Sequence, residues 1–311
     1  MFLTKLEIMK RIFVGEKYLL EALQKDPEVK NRDAWKVIEQ LEQKPFEIIE
    51  KMNNLIDKLV QQMDQDGLEK LKKELDKNLK EYQSIIDLLE QDSVIIEKRR
   101  KAIREFAEKA KNLRNEQDEP IMIDRFHVDC LRSIAYEMRL GEEVYVTTEE
   151  LPALFKRGEK DAIRIEPGEF AVLTTLEYLY IPTDIVAFIS IRYGYKERGL
   201  VNVSGFHVDP GFYGKLFFTV YNAGPSDIVL KYRDRIFMIM LAKLGRRTEA
   251  YEGKHKGQIK LQPEVISALK GTSVSVRNLD ERLKRLETIV YVLGAAIFTA
   301  VIAIILKIFL G

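Results

Sequence analysis

One cysteine, three histidines and one tryptophan occur in 311 residues. A single thiol excludes a disulfide framework, and so few soft ligands leave no set for a zinc site. Neither sign of charge dominates: 50 Lys+Arg stand against 49 Asp+Glu, a net of +1. That balance excludes a protein that coats nucleic acid by bulk charge, and no nucleic-acid partner is expected. Glycine is absent between Gly15 and Gly67, and charge is absent from 289 to 306. The first absence fits long helices, and the second is foreign to a helix bathed in water.

What is present is unevenly distributed. At 46% hydrophobic the chain is not disordered, while 32% charged exceeds the ~25% usual for a globular domain and predicts long solvated helices. The length predicts about two domains, at ~150 residues each. The uncharged run continues to Leu310, interrupted only by Lys307. At ~1.5 Å per residue, 18 to 22 helical residues cover the ~30 Å hydrocarbon core, so 289–310 reads as a transmembrane helix in membrane lipid. Val276, Leu279, Leu283, Leu286, Val290 and Leu293 precede it at spacings of three and four, a heptad seam or an ordinary amphipathic helix. Residues 263–288 form a basic stalk, and 245–285 carry ten Lys+Arg against five Asp+Glu. Basic residues beside a span favour the cytoplasmic side, which predicts a single-pass C-terminal tail anchor with the soluble regions in the cytoplasm. The opening MFLTKLEIMKRIF is interrupted by charge and does not read as a secretory signal.

Residues 1–120 carry 24 Lys+Arg and 26 Asp+Glu. Apolar residues recur every three or four positions from Trp35 to Leu59 and again from Leu68 to Leu89. Both stretches predict amphipathic helices, with a reversal at Asp66-Gly67, making a hairpin or coiled-coil arm that ends near Pro120. Its alternating charges read as a solvated face. The arm is either a spacer or a binding surface for an unidentified protein partner.

From Ile121 the texture changes. Short β-type runs such as EEVYVTT, GEFAVLTTLEYLYIP, IVAFISIRY, GKLFFTVYNAG and DRIFMIMLAKL alternate with turn signals. This punctuation predicts an all-β barrel or jelly roll over about 121–262.

Glu137-Met138-Arg139-Leu140-Gly141, Pro167-Gly168-Glu169-Phe170, Thr174 to Tyr178, Arg192, Gly199-Leu200, Gly205 to Gly214 and Tyr221-Asn222 fall in a recognisable order. Over about residues 130–260 the sequence resembles the dCTP deaminase and dUTPase superfamily. The resemblance implies a distorted β-barrel, a homotrimer, and sites for dUTP or dCTP at subunit interfaces. It places Asp209 where the dUTPases orient the attacking water, with Mg2+ carried on the bound triphosphate and no zinc. Arg192, Asn202, Gly205, Tyr251, Lys254 and Gln258 fall at nucleotide-binding positions.

The departures bear on chemistry. Thr219 stands where the deaminases carry the glutamate that activates water, and a hydroxyl without a nearby base cannot replace a carboxylate's proton transfers, worth ~10²–10⁴-fold in rate. Tyr193 and Gly194 follow Arg192 where the family carries serine, and Glu137 replaces a motif aspartate. Bland readings stand beside these: Asp209 as a turn former before Pro210-Gly211, Arg192 as an interface ion pair, Asn202 as a strand-end cap and His207 as structural. The expectation is a membrane-anchored pyrimidine-deoxynucleotide-binding protein that hydrolyses a triphosphate through Asp209 or binds without turnover. The alternative is an inactive trimeric scaffold or nucleotide sensor, and third comes deamination through another carboxylate such as Glu197.

Overall fold

The computed structural model describes residues 2–41, 44–61, 65–110, 119–147, 152–154, 162–269 and 276–310. Among these, six helices come first: α1 (Lys5–Lys25), α2 (Pro27–Lys30), α3 (Asp33–Glu39), α4 (Pro45–Gln61), α5 (Gln65–Leu89) and α6 (Ser93–Ala110). Thr4 and Glu7 close a capping box on α1: the Glu7 carboxylate accepts from the Thr4 amide at 2.8 Å. Proline at the first position of α4 needs no amide bond there, and the Trp35–Leu59 stretch is accordingly two helices rather than one. Asp66-Gly67, expected as a reversal, lies in the first turn of α5, because the helix already starts at Gln65.

The strands follow: β1 (Met122–Ile123), β2 (Ala135–Val146), β3 (Ala153–Leu154), β4 (Ala162–Ile165), β5 (Phe170–Tyr180) and β6 (Ile185–Ile191). After the one-turn helix α7 (Tyr193–Lys196) come β7 (Leu200–Asn202), β8 (His207–Val208), β9 (Tyr213–Asn222), β10 (Ile228–Lys231) and β11 (Arg235–Lys243). The five runs picked out by their β-type texture form the cores of β2, β5, β6, β9 and β11. Seven strands form one antiparallel path, β7-β9-β5-β2-β11-β6-β8, with β1 beside β5 and β3 beside β2, while β4 and β10 pair separately. In a flat sheet β9 and β11, three places apart, would lie ~14 Å from each other. Instead Phe218 of β9 and Phe237 of β11, both fully buried, stack with ring centroids 4.1 Å apart. The sheet is therefore curled on itself into a distorted barrel around an apolar core.

The helical region packs on this barrel. Leu3 donates its amide to Leu241 at 2.8 Å, so the chain start pairs with β11 before α1 begins. Ile8 and Ile12 of α1 share an apolar seam with Ile121, Ile239 and Leu241. A Cβ on Gly15 would sit 2.4 Å from the Ile121 carbonyl oxygen, which fixes glycine where α1 crosses the chain just before β1. Several charges expected on a solvated face are buried at this junction. Glu16 and Arg99 pair at 2.7 Å beneath Tyr82, and Arg11 makes two bonds to Asp184, at 2.9 and 2.7 Å. Their partners lie 83 and 173 residues away, beyond the reach of an i,i+4 reading.

Two further helices, α8 (Pro263–Leu269) and α9 (Val276–Leu310), complete the chain described. Stalk and apolar run form one continuous helix from Val276. Within residues 279–304 of α9 an 18-residue window reaches a mean hydropathy of 2.1 with none of it buried, long and apolar enough to cross a membrane by length and composition.

Candidate functional site

The site is assembled by a turn and two returning segments. Strand β8 ends at Asp209-Pro210-Gly211, where the Phe212 amide closes back on the Asp209 carbonyl at 3.2 Å. Gly211 has φ +77, and a Cβ there would lie 2.5 Å from the Ala250 Cα, so glycine is required twice over, by conformation and by contact. That contact exists because the chain after β11 comes back across the turn: Tyr251 donates its amide to the Pro210 carbonyl at 2.9 Å. The segment then runs along the start of β9. Gly257 donates to Tyr213 at 2.8 Å, Lys215 donates to Gln258 at 2.9 Å, and the Gln258 side-chain amide donates to the Lys215 carbonyl at 2.8 Å. Residues 251–258 thus lie closed over the turn.

Beneath them, on the outer face of the barrel, is a cavity of about 340 Å³. Val172, Phe217 and Val265 line one side; Ser204, Gly205, His207, Asp209, Thr219, Tyr251, His255 and Gln258 supply its polar groups. Helix α8 contributes Val265 and packs with Leu261 on Tyr145 and Val172. A volume of this order, apolar with a few convergent polar groups, suits a small ligand. Asp209 and His207 lie 3.4 Å apart with half-exposed side chains, so the carboxylate meets both the imidazole and solvent.

Of the residues singled out from sequence, Asp209, Gly205, Tyr251 and Gln258 share this cavity wall. Asn202 stands behind it: its amide oxygen accepts from the Ser204 hydroxyl at 2.6 Å and its nitrogen donates to the Gly205 carbonyl at 3.2 Å, bracing the loop. Lys254 is exposed on the closing segment, outside the cavity lining. Arg192 is elsewhere. Its guanidinium pairs with Glu137 at 2.9 Å and donates to the Arg235 carbonyl at 2.9 Å, and Glu137 also holds Arg132 at 2.8 Å. Tyr193, the next residue, is 76% exposed on α7.

The sequence reads His207 as structural and Thr219 as standing in for a deaminase glutamate, and both face the cavity. Alternation carries the signal: Gly205, His207 and Asp209 fall on one face of an extended segment, as do Phe217 and Thr219 on β9. His255 bonds Gln258 through its ring at 3.0 Å and lies on the same lining.

A charged network holds the start of β9. Glu142 bonds Lys215 and Arg125, each at 2.7 Å. Burial alone would raise the Glu142 carboxyl, but Lys215 and Arg125 outweigh it and bring the group down to about 2. A larger cavity, about 400 Å³, opens between α5 and the barrel around Arg139, Arg233, Glu90 and Cys130. Its arginines are paired with carboxylates, Arg139 with Glu177 at 2.8 Å and Arg233 with Glu90 at 2.9 Å, and burial pushes the Cys130 thiol up to about 12. The Asp209 cavity is the better candidate on this chemistry. Among the described residues no group of three or more His, Cys, Asp or Glu could hold a metal ion.

Comparison with known proteins places these features. A family model described as dCTP deaminase-like matches residues 107–244. The chain is 33% identical over 154 residues to a dCTP deaminase of Pyrobaculum arsenaticum, covering 46% of this chain and 86% of that one. It is 32% identical over 193 residues to the dUMP-forming dCTP deaminase of Aquifex aeolicus, covering 59% and 96%. The solved 2'-deoxycytidine 5'-triphosphate deaminase from Agrobacterium tumefaciens aligns at 16% identity and a TM-score of 0.33, over 47% of this chain and 48% of that one. With relatives at this identity matched over most of their length, the chain belongs to the dCTP deaminase/dUTPase superfamily.

Proposed function

We propose that the protein binds a pyrimidine deoxynucleoside triphosphate, dUTP or dCTP, in the Asp209 cavity and either hydrolyses it slowly or holds it without turnover. The observation that carries this reading is the closing segment lying over the Asp209 turn, with Tyr251 and Gln258 on the cavity wall and Lys254 exposed beside it. The ammonium of Lys254 supplies a point charge for phosphate, and Asn202, by bracing Ser204 and Gly205, holds the strand end that faces the base. Mg2+ enters as part of the substrate, on the triphosphate. Asp209 is the carboxylate in the cavity lining, placed to orient water. Arg192 is engaged with Glu137 within its own chain, so its contact with phosphate requires the neighbouring copy of a trimer.

Trimer formation is part of the proposal. Leu279, Leu283, Leu286, Val290 and Leu293 are all more than half exposed in one chain, and a three-stranded coil leading to three membrane helices would cover them. In that arrangement α9 anchors the assembly with the barrel and arm in the cytoplasm. The alternative, a scaffold or sensor, draws on α7: a helical turn with an outward Tyr193 stands where the family carries a phosphate loop.

The test is product formation by the full chain in detergent with Mg2+. Slow release of diphosphate from dUTP is expected, and Asp209→Asn should lower it by about 10²-fold or more. Binding with no product selects the form without turnover. Conversion of dCTP to a uracil nucleotide would contradict the reading of Thr219.

A further inference from the structure

The closing segment is held from two sides, and the second hold comes from the helical arm. Glu108, in the last turn of α6, accepts from the Tyr213 hydroxyl at 2.8 Å and pairs with Lys256 at 3.0 Å. Lys256 lies midway between Lys254 and Gln258. Its ammonium also bonds Glu252 at 2.7 Å and stands 5.6 Å from the centre of the Tyr213 ring. Between two carboxylates and a ring its side chain is only 16% exposed, unlike that of Lys254. Burial, and then the Glu108 carboxylate, push the Tyr213 phenol well above its ordinary value, so it stays a donor at any physiological pH. Tyr213 also presents its carbonyl to Gly257 at 2.8 Å, and its ring lies 3.1 Å from where a Gly257 Cβ would be. One tyrosine therefore touches both the arm and the segment that covers the cavity.

We infer that Glu108 and Lys256 are positioning residues forming a latch through which the helical arm sets the closure of residues 251–258 over the cavity. The nucleotide consequence rests on the function proposed above; the latch itself does not. A charge-assisted hydrogen bond and a half-buried ion pair made only in the closed arrangement shift the closing equilibrium by about three- to tenfold. Because the cost of ordering the segment is then met before a ligand arrives, the latched protein binds more tightly by a similar factor. Coupling is reciprocal: a partner that moves α6 weakens the nucleotide, and the nucleotide resists the partner. The arm thereby acquires a function tied to the barrel's site.

The test uses the full chain in detergent and reads amide hydrogen exchange at residues 257 and 258, without nucleotide. Glu108→Gln and Lys256→Gln should each speed exchange there by about three- to tenfold, and the double variant should add little to either. Lys256→Arg should stay close to wild type. Amides in β2 and β11 serve as the folding control and should not change. Unchanged exchange in both single variants, or fully additive effects, overturns the latch. In the same proteins the dissociation constants for dUTP and dCTP should rise about threefold or more in Glu108→Gln. Faster exchange with unchanged affinity overturns the coupling. Faster exchange in a chain whose wild type has no affinity for either nucleotide upholds the latch and refutes the nucleotide reading.

Discussion

Thr219 lies on the outer face of β9 at the cavity wall, opposite Val172 of β5. A hydroxyl is not a carboxylate and does not take its place as a proton acceptor, whereas Asp209, half-exposed and 3.4 Å from His207, keeps a carboxylate on the lining. The Glu142 network at the start of β9 gives a prediction of its own. Glu142 in the folded protein titrates near 2, below its ordinary 4.5, so the unfolded chain takes up this proton first as pH falls. The stability it contributes is present above about pH 4.5 and lost between there and about 2. Its side chain is 34% exposed, so the full shift must be discounted for solvent screening, leaving about 1–2 kcal/mol. Glu142→Gln should flatten the fall in unfolding midpoint between pH 5 and 2; an unchanged slope would contradict this account of the network. At this scale the motifs mark Asp209, Tyr251 and Gln258, but not His207, whose place on the lining depends on the alternation of the short extended segment before Asp209.

Among the elements, α1 shows most clearly what was hidden. The balance of charge over residues 1–120 reads as a solvated face, and nothing in the order of residues says that Arg11 meets Asp184 rather than solvent. The pair is bidentate, with side chains 6% and 8% exposed. Arg11→Ala leaves a carboxylate without its main partner in a dry setting and should destabilise by about 3–5 kcal/mol. The double change Arg11→Met with Asp184→Leu removes both charges and should cost much less, as thermal midpoints would show. Equal losses in the two would mean that the pair is not what holds α1 to β6. The strands were legible for the opposite reason. Each pairs with neighbours through alternation and apolar runs encoded within ten or so residues, and Phe218 and Phe237 meet once the sheet curls. The break between α3 and α4 was signalled by Pro45 but obscured by the regular apolar spacing across it.

For the whole molecule, the near-zero net charge conceals a division. The stretch 245–285 carries a surplus of five positive charges, while the arm and the barrel are each slightly negative. The surplus lies in the closing segment and the stretch between it and the apolar part of α9. In sealed vesicles, protease added from the cytosolic side should digest the arm and barrel; their protection would contradict the orientation proposed for α9. The arm, packed on the barrel by buried charges and joined to residues 251–258 through Glu108, is best understood as part of the same device. All of this depends on whether the cavity takes a nucleotide. Calorimetric titration of the full chain with dUTP and with dCTP, in Mg2+, decides that most directly. The account predicts saturable binding of at least one of them, weakened about tenfold or more by Lys254→Ala. A folded protein with no measurable affinity for either would contradict it.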